Sequence, residues 1–271
     1  MNAPERFACL PDVQAREDQR DLPINAAGVK GVRYPITLRA GARLLPTIAT
    51  LSMTVGLPAA AKGTHMSRFI ETLEAQTEAL DHAGFKRLLF AMLQRLEAQA
   101  GEIEMRFPYF VRKSAPVSGV QSQLDYEVCW QGTVAEDGQY AFWMHVTVPA
   151  TSLCPCSKEI SAYGAHNQRS HISIGARLTT EMAVEELITV AEGNASAEVY
   201  GLLKRPDEKF VTEQAYENPK FVEDLVRDVA LALGREPRVS AYRVEAENFE
   251  SIHNHSAYAR IVHAGSTVKC G

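Results

Sequence analysis

Cysteine is scarce in this sequence: five residues in 271, at Cys9, Cys129, Cys154, Cys156 and Cys270. An odd, thinly spread set in a chain this long does not build a disulfide framework. It leaves Cys154 and Cys156 free to act as thiolates. No run of about 18 apolar residues occurs, so the sequence offers no membrane-spanning helix. The opening MNAPERFACLPDVQAREDQRD lacks the basic-then-apolar pattern of a leader. A basic surplus is also missing: Lys plus Arg number 28 against 33 Asp plus Glu, a formal net charge of −5. Long nucleic acids need a strongly basic face and are disfavoured as partners. A small anionic substrate needs just a local basic cluster. These absences lead to the expectation of a cytoplasmic protein with neither nucleic-acid nor membrane partners.

What is present is ordinary globular composition, 46% hydrophobic and 23% charged, in a chain long enough to bury a large core. Residues 1–30 are polar and without sustained period, and read as an N-terminal arm. Beyond them the chain repeats its architecture. Val32–Arg39 reads as a strand. In Thr47–Val55, Ala49, Leu51, Met53 and Val55 alternate with polar residues, the period of a half-buried strand. Ser67 is the expected N-cap of a helix carrying Phe69, Ile70, Leu73, Thr77 and Leu80 at helical spacing. Gly84 separates it from a second helix carrying Phe85, Leu88, Leu89, Met92, Leu93 and Leu96, and two strands follow.

The second half reads alike. Tyr140–Val148 alternates, a long irregular insert follows, and a strand covers Ser170–Leu178. Helices are expected at Glu181–Glu192 and Pro219–Leu233, then strands near Arg238–Glu247 and Ser256–Val262. The order is strand, strand, helix, helix, strand, strand, given twice. It predicts an α+β fold of two similar ββααββ modules, residues 31–135 and 136–271, with antiparallel sheets and helices on one face. Exposed sheet edges must be paired or capped, so oligomerisation is expected.

Four segments carry residues with chemistry. The first, CPCSKEISAYGAHNQRSH at 154–171, brings Cys154, Cys156, Lys158, Glu159, His166, Arg169 and His171 into one stretch after a strand. Binding groups concentrate in such loops. Pro155 fixes its own backbone and biases Cys154 toward extended geometry. If the two side chains diverge, one sulfur can bind a metal while the other faces substrate. A lone CxC pair with no second pair does not make a four-ligand structural zinc site, and suits a three-ligand catalytic metal better. By spacing alone the pair also fits two small buried cysteines. The second segment, Glu250–Ser256, holds His253 and His255, which exchange protons near neutral pH; it equally fits a solvated turn. The third is KRPDEK at 204–209, ordinarily a charged loop, with Glu223 early in the later helix, where a carboxylate also favours the helix N-terminus. The fourth is KGTHMSR at 62–68, where Lys62, His65 and Arg68 precede a helix and could cradle phosphate. It is not a P-loop, and a capped helix start explains it as well.

Together these segments, with DVQ at 12–14 and IHNHSAY at 252–258, resemble the type IB GTP cyclohydrolases over about residues 12–262. The resemblance implies the tunnelling fold, two ββααββ modules per chain, and a homotetramer with active sites between subunits. It implies hydrolysis of GTP to 7,8-dihydroneopterin triphosphate and formate, the first step of tetrahydrofolate biosynthesis. It implies one divalent metal per site (zinc, manganese or iron) held by Cys154, His166 and Glu208. Cys156 would face substrate, Glu223 would bind guanine, and His253 and His255 would move protons. Lys62, His65, Arg68, Lys158 and Arg169 are the local cations for the triphosphate. Two rivals remain at this point: a metal-free nitrile reductase of the same fold, using a cysteine nucleophile with NADPH, and a non-catalytic protein whose Cys154, Cys156 and His166 close a structural metal site.

Overall fold

The computed structural model describes residues 12, 14 and 16–265. Cys9, Cys270, Val13 of the DVQ motif and residues 1–11 and 15 of the expected N-terminal arm lie outside the described residues. Alternation in the sequence becomes one antiparallel sheet. Its strands are β1 (Ile24–Ala40), β2 (Arg43–Leu57), β3 (Gly101–Ser114), β4 (Gln121–Val134), β5 (Tyr140–Leu153), β6 (Asn167–Leu178), β7 (Ala197–Glu198), β8 (Val239–Asn248) and β9 (Ala257–His263). The order across the sheet is β1-β2-β3-β4-β5-β6-β8-β9, and the short β7 adds to β5. Helices are α1 (Met66–Glu74), α2 (His82–Leu96), α3 (Pro155–Ile160), α4 (Val184–Asn194), α5 (Arg205–Glu217) and α6 (Val222–Gly234).

One face of the sheet is apolar because every second residue is. Leu51, Met53, Ile103, Met105, Val128, Trp130, Phe142, Met144, Ile172, Ile174 and Val244 join one buried cluster with Phe69 and Leu73 of α1, Phe85 and Leu89 of α2, Leu187 of α4, and Leu225 and Val229 of α6. The intervening residues, such as Glu104, Arg106, Cys129, His145, Thr147 and Glu245, fall on the helix-free face. There burial pushes the Cys129 thiol up to about 11, so it is a poor nucleophile.

Several boundaries differ from expectation, each for a local reason. The arm was expected to run to residue 30, but β1 begins at Ile24. Gly28 allows that pairing, since a Cβ there would meet the Met53 carbonyl oxygen at 2.0 Å. The N-cap of α1 is His65, and Ser67 lies inside the helix. Thr77 and Leu80 fall beyond α1, which ends at Glu74; the Leu80 amide instead bonds the Thr37 carbonyl at 2.8 Å. Gly84 sits inside α2, where its amide donates to the capping Asp81 carboxylate at 2.7 Å. KRPDEK is the start of a helix, α5, and not a loop. The insert after β5 is not wholly irregular, because Pro155 opens the short α3.

The register places two sets of loops at opposite ends of the sheet. One end gathers Leu57, Gly101, Val134, Tyr140 and Leu178, and the other gathers the β3–β4 turn, the β5–β6 insert and the β8–β9 loop. The 14 residues of β5 span the distance between them, roughly 45 Å at the usual rise.

Candidate active site

At the second of these ends the chain builds a rigid cluster from the 154–171 segment. The Cys154 amide donates to the His166 carbonyl at 3.2 Å, which closes the base of the insert where β5 and β6 part. Ser157 fastens the same junction from within: its hydroxyl donates to the Cys154 carbonyl at 3.1 Å and accepts from the His166 amide at 3.2 Å. Cys154 is the N-cap of α3, and its Sγ accepts from the Ser157 amide at 3.4 Å. The two cysteines differ in setting, because Cys154 precedes the helix and Cys156 lies in its first turn. Cys154 is half-buried and Cys156 exposed.

The β8–β9 loop folds over this junction. Ser251 Oγ lies 3.1 Å from His166 Nδ1, so one imidazole nitrogen is engaged by the loop. Glu250 organises the rest: Gln168 donates to its carboxylate at 3.3 Å, and His253 Nδ1 lies 3.4 Å from it. The His253 and His255 rings stack with centroids 5.2 Å apart. Beneath them, Ser170 contacts both Ser152 and Asn248 at 2.6 Å, a buried polar layer joining β5, β6 and β8.

Two helix starts reach the same end. The Lys220 amide bonds the Leu153 carbonyl at 3.2 Å, so the first turn of α6, with exposed Glu223, stands beside Cys154 in the fold. The start of α5 is pinned by Asp207, which is fully buried. Its carboxylate accepts from Ser118 Oγ at 2.7 Å and from the Val117, Ser118 and Lys204 amides at 2.8 Å each. Burial alone would raise the Asp207 pKa, but these donors outweigh it and hold the carboxyl well below the usual range. Its neighbour Glu208 is exposed.

The donor types at this end suit a borderline divalent ion, and the backbone sets Cys154 beside His166. The full expected set is not gathered: among the described residues, no three His, Cys, Asp or Glu side chains stand close enough to hold a metal ion. Glu208 shares this end of the sheet without joining the pair. Lys158 is already engaged. Its ammonium donates to the Tyr216 carbonyl at 2.5 Å and lies 4.3 Å from that ring, which locks α3 onto α5. Arg169 is exposed on β6.

The KGTHMSR segment is elsewhere. It follows Leu57 and lies at the opposite end of the sheet, so this chain does not bring Lys62, His65 and Arg68 to Cys154. There His65 Nε2 lies 3.0 Å from Asp12, Lys62 Nζ 3.8 Å from Asp18, and Arg68 3.5 Å from Glu97. His65 and Arg68, with Asp12, Thr64, Glu97 and Glu136, border a separate cleft of about 620 Å³.

Residues 10–259 match the family described as type I GTP cyclohydrolase FolE2. The chain belongs to that family. The GTP cyclohydrolase FolE2 of Paraburkholderia xenovorans (strain LB400) is 60% identical over 262 residues, covering 96% of this chain and 97% of the relative. That of Azoarcus sp. (strain BH72) is 57% identical over 262 residues, with the same coverage. Among solved structures, the uricase from Arthrobacter globiformis superposes with a TM-score of 0.54 at 13% identity, covering 89% of this chain and 94% of that one. That likeness concerns the fold alone. Among the described residues no helix is long and apolar enough to cross a membrane.

Sequence reading included Ser157, Gln168, Asp207, Glu250 and Ser251 in its segments but gave them no role; here they hold this end of the sheet together. Asp207 had a readable signal, an acidic residue after proline at a helix start. The others become visible only when β5, β6 and β8 lie side by side.

Proposed function

We propose that this protein is a GTP cyclohydrolase that opens the imidazole ring of guanine, releasing formate and forming 7,8-dihydroneopterin triphosphate at the head of folate synthesis. The observation that carries the reading is the Cys154–His166 junction, with Cys156, Glu223 and the His253/His255 loop at the same end of the sheet, in a chain of the FolE2 family. We take the fold to be the tunnelling fold, with a polar arm and two ββααββ modules meeting at the β4–β5 turn.

The chain's own groups divide the work. Glu223, exposed at a helix start, accepts hydrogen bonds from the guanine ring N–H and exocyclic amine; a base lacking those donors would leave the carboxylate unpaired. Cys156, exposed in the first turn of α3, faces the carbon under attack. His253 and His255 deliver protons to the departing ring nitrogen and then to the ribose oxygen, the general-acid role that imidazoles commonly fill. Ser251 holds His166 in one orientation. Cys154 and His166 would be two ligands for one divalent ion, zinc, manganese or iron, and Glu208, which this chain does not bring up to them, would have to close in as the third. When bound, such an ion lowers the pKa of water toward about 7 and supplies the hydroxide nucleophile.

Three of the groups expected to hold the triphosphate, Lys62, His65 and Arg68, stand about 45 Å away along the same chain, by the strand rise used above. A site that uses both ends therefore draws Lys62, His65 and Arg68 from a second copy. The outermost strands, β1 and β9, each have a free edge among the described residues, which suits assembly into a homotetramer. Lys158 and Arg169 would lie on the Cys154 side of such a site. We assign the protein to the cytoplasm.

The test is incubation of metal-reconstituted protein with GTP, following formate and, after oxidation, a fluorescent pterin. Both should appear together. GTP turnover without formate would overturn the reading.

A further inference from the structure

Between α3 and β6 a short arch of chain spans the Cys154–His166 junction. Helix α3 ends at Ile160, and β6 starts at Asn167. Both feet of the arch are fixed, by the Cys154 amide on the His166 carbonyl and by the Ser157 hydroxyl between them. Ser161 closes α3 in extended geometry, and its hydroxyl accepts from the Tyr163 amide at 3.2 Å. Gly164 follows with a φ of +115°, a conformation that side-chain-bearing residues rarely adopt. These two features set the turn that carries Tyr163. The tyrosine lies three residues before His166, at most about 11 Å of extended chain.

Tyr163 is 101% exposed, and Ile160 at the foot of the arch is 84% exposed. The Tyr163 ring and hydroxyl engage no partner among the described residues. Two other aromatic rings at this end are in use. Phe249 packs edge-on against His171 with centroids 4.9 Å apart, and Tyr216 carries the Lys158 ammonium on its ring. A single apolar side chain in water is ordinary on a protein surface. Tyr163 differs by its position: an open aromatic ring on a pinned arch, between Cys156 and His166 in the chain. A tyrosine there costs little to order, because two torsions fix it.

We propose that Tyr163 is a substrate-binding residue whose ring stacks on guanine and covers the face opposite the attacking nucleophile. The proposal rests on the cyclohydrolase reading given above. The reaction asks for such a group. A nucleophile adds to the carbon between the two imidazole nitrogens along the normal to the ring plane, because the accepting π orbital stands on the faces. One face of the base must therefore stay open at that carbon. Glu223 engages the base at its edge, within the plane, and leaves both faces uncovered. A ring on the far face fixes the plane of the base and keeps water off it. Stacking is favourable for any base, so Tyr163 supplies affinity and orientation while the Glu223 edge selects guanine.

Guanosine has the base without the triphosphate, and inorganic triphosphate is the converse control. Each is dialysed against chelator-treated protein, where no turnover interferes. Tyr163→Ala should weaken guanosine binding about tenfold or more and leave triphosphate binding unchanged. Tyr163→Phe should stay within about twofold of the wild type, since the hydroxyl is not used. Tyr163→Trp should gain a fluorescence signal that guanosine quenches and that the wild type lacks, a result independent of the alanine variant. Light scattering follows the oligomeric state, because an exposed ring also suits a contact between copies. Equal guanosine affinity in the wild type and Tyr163→Ala, an equal loss for triphosphate, no guanosine binding at millimolar concentration, or dissociation of the Tyr163→Ala assembly would each overturn the proposal. Formate release by the wild type separates the two claims. Formate from GTP with an indifferent Tyr163 keeps the reaction and removes the stack. Guanosine binding that depends on Tyr163, without formate, keeps the stack and removes the reaction.

Discussion

The main-chain amide of Cys154 donates to the main-chain carbonyl of His166 at 3.2 Å, and Ser157 bonds to both residues from between them. Eleven intervening residues are thus folded back so that a thiol and an imidazole share one junction. If that junction holds the ion, Cys154→Ala and His166→Ala should each lower bound metal, measured by elemental analysis, in step with GTP turnover. Cys156→Ala should retain the metal and lose turnover by about 10²-fold or more, the scale of a lost proton-transfer or positioning group. A metal-loaded Cys156→Ala enzyme of normal rate would remove that residue from the chemistry.

Glu223 stands in the first turn of α6, exposed, three residues beyond the Lys220–Leu153 bond. Glu223→Gln keeps the shape and removes the charge that pairs two guanine donors. KM for GTP should rise by about tenfold or more while the thermal midpoint stays within a few degrees. Steady-state kinetics with a melting curve separates the two effects, and an unchanged KM would place guanine elsewhere.

Asp207 gives a pH signature. Its folded-state pKa is depressed by the Ser118, Val117 and Lys204 donors, which outweigh the opposing effect of burial. A depressed carboxylate contributes stability that is complete above the unfolded value of about 3.9 and is lost as pH falls from there toward the folded value. The melting temperature of Asp207→Asn should therefore lie below that of the wild type by a constant amount above about pH 5, with the gap closing below about pH 4. A gap independent of pH would mean that packing, and not ionisation, carries the role.

Strands were legible because a half-buried antiparallel sheet writes its period directly: Ala49, Leu51, Met53 and Val55 are all buried as their alternation requires. The FolE2 motif was legible as a string of donors. What escaped has physical causes. Helix α5 buries just Asp207 and Ala215, so RPDEKFVTEQAYE carries almost no apolar stripe and is held by its capped start. The first residues of β1, INAAGVKG, lie at the sheet's edge and are mostly exposed, so they show no alternation. The separation of KGTHMSR from CPCSKEI is a matter of register, which no local spacing reveals.

That separation makes a prediction about assembly. His65→Ala and Cys156→Ala should each be nearly inactive alone. Co-expressed with different tags and purified through both, they should regain about a quarter of wild-type activity, because a site built from two copies finds both intact segments in that share of random pairings. No recovery in the doubly tagged oligomer would place both segments' work within one chain.

The most direct measurement follows the carbon between the two imidazole nitrogens of guanine. GTP labelled at that carbon is given to the metal-loaded enzyme, and labelled formate is counted against GTP consumed. One equivalent of labelled formate per GTP is the predicted result. Label retained in the nucleotide, or GTP consumed through its phosphates alone, would contradict a ring-opening hydrolysis at the Cys154–His166 end of the sheet.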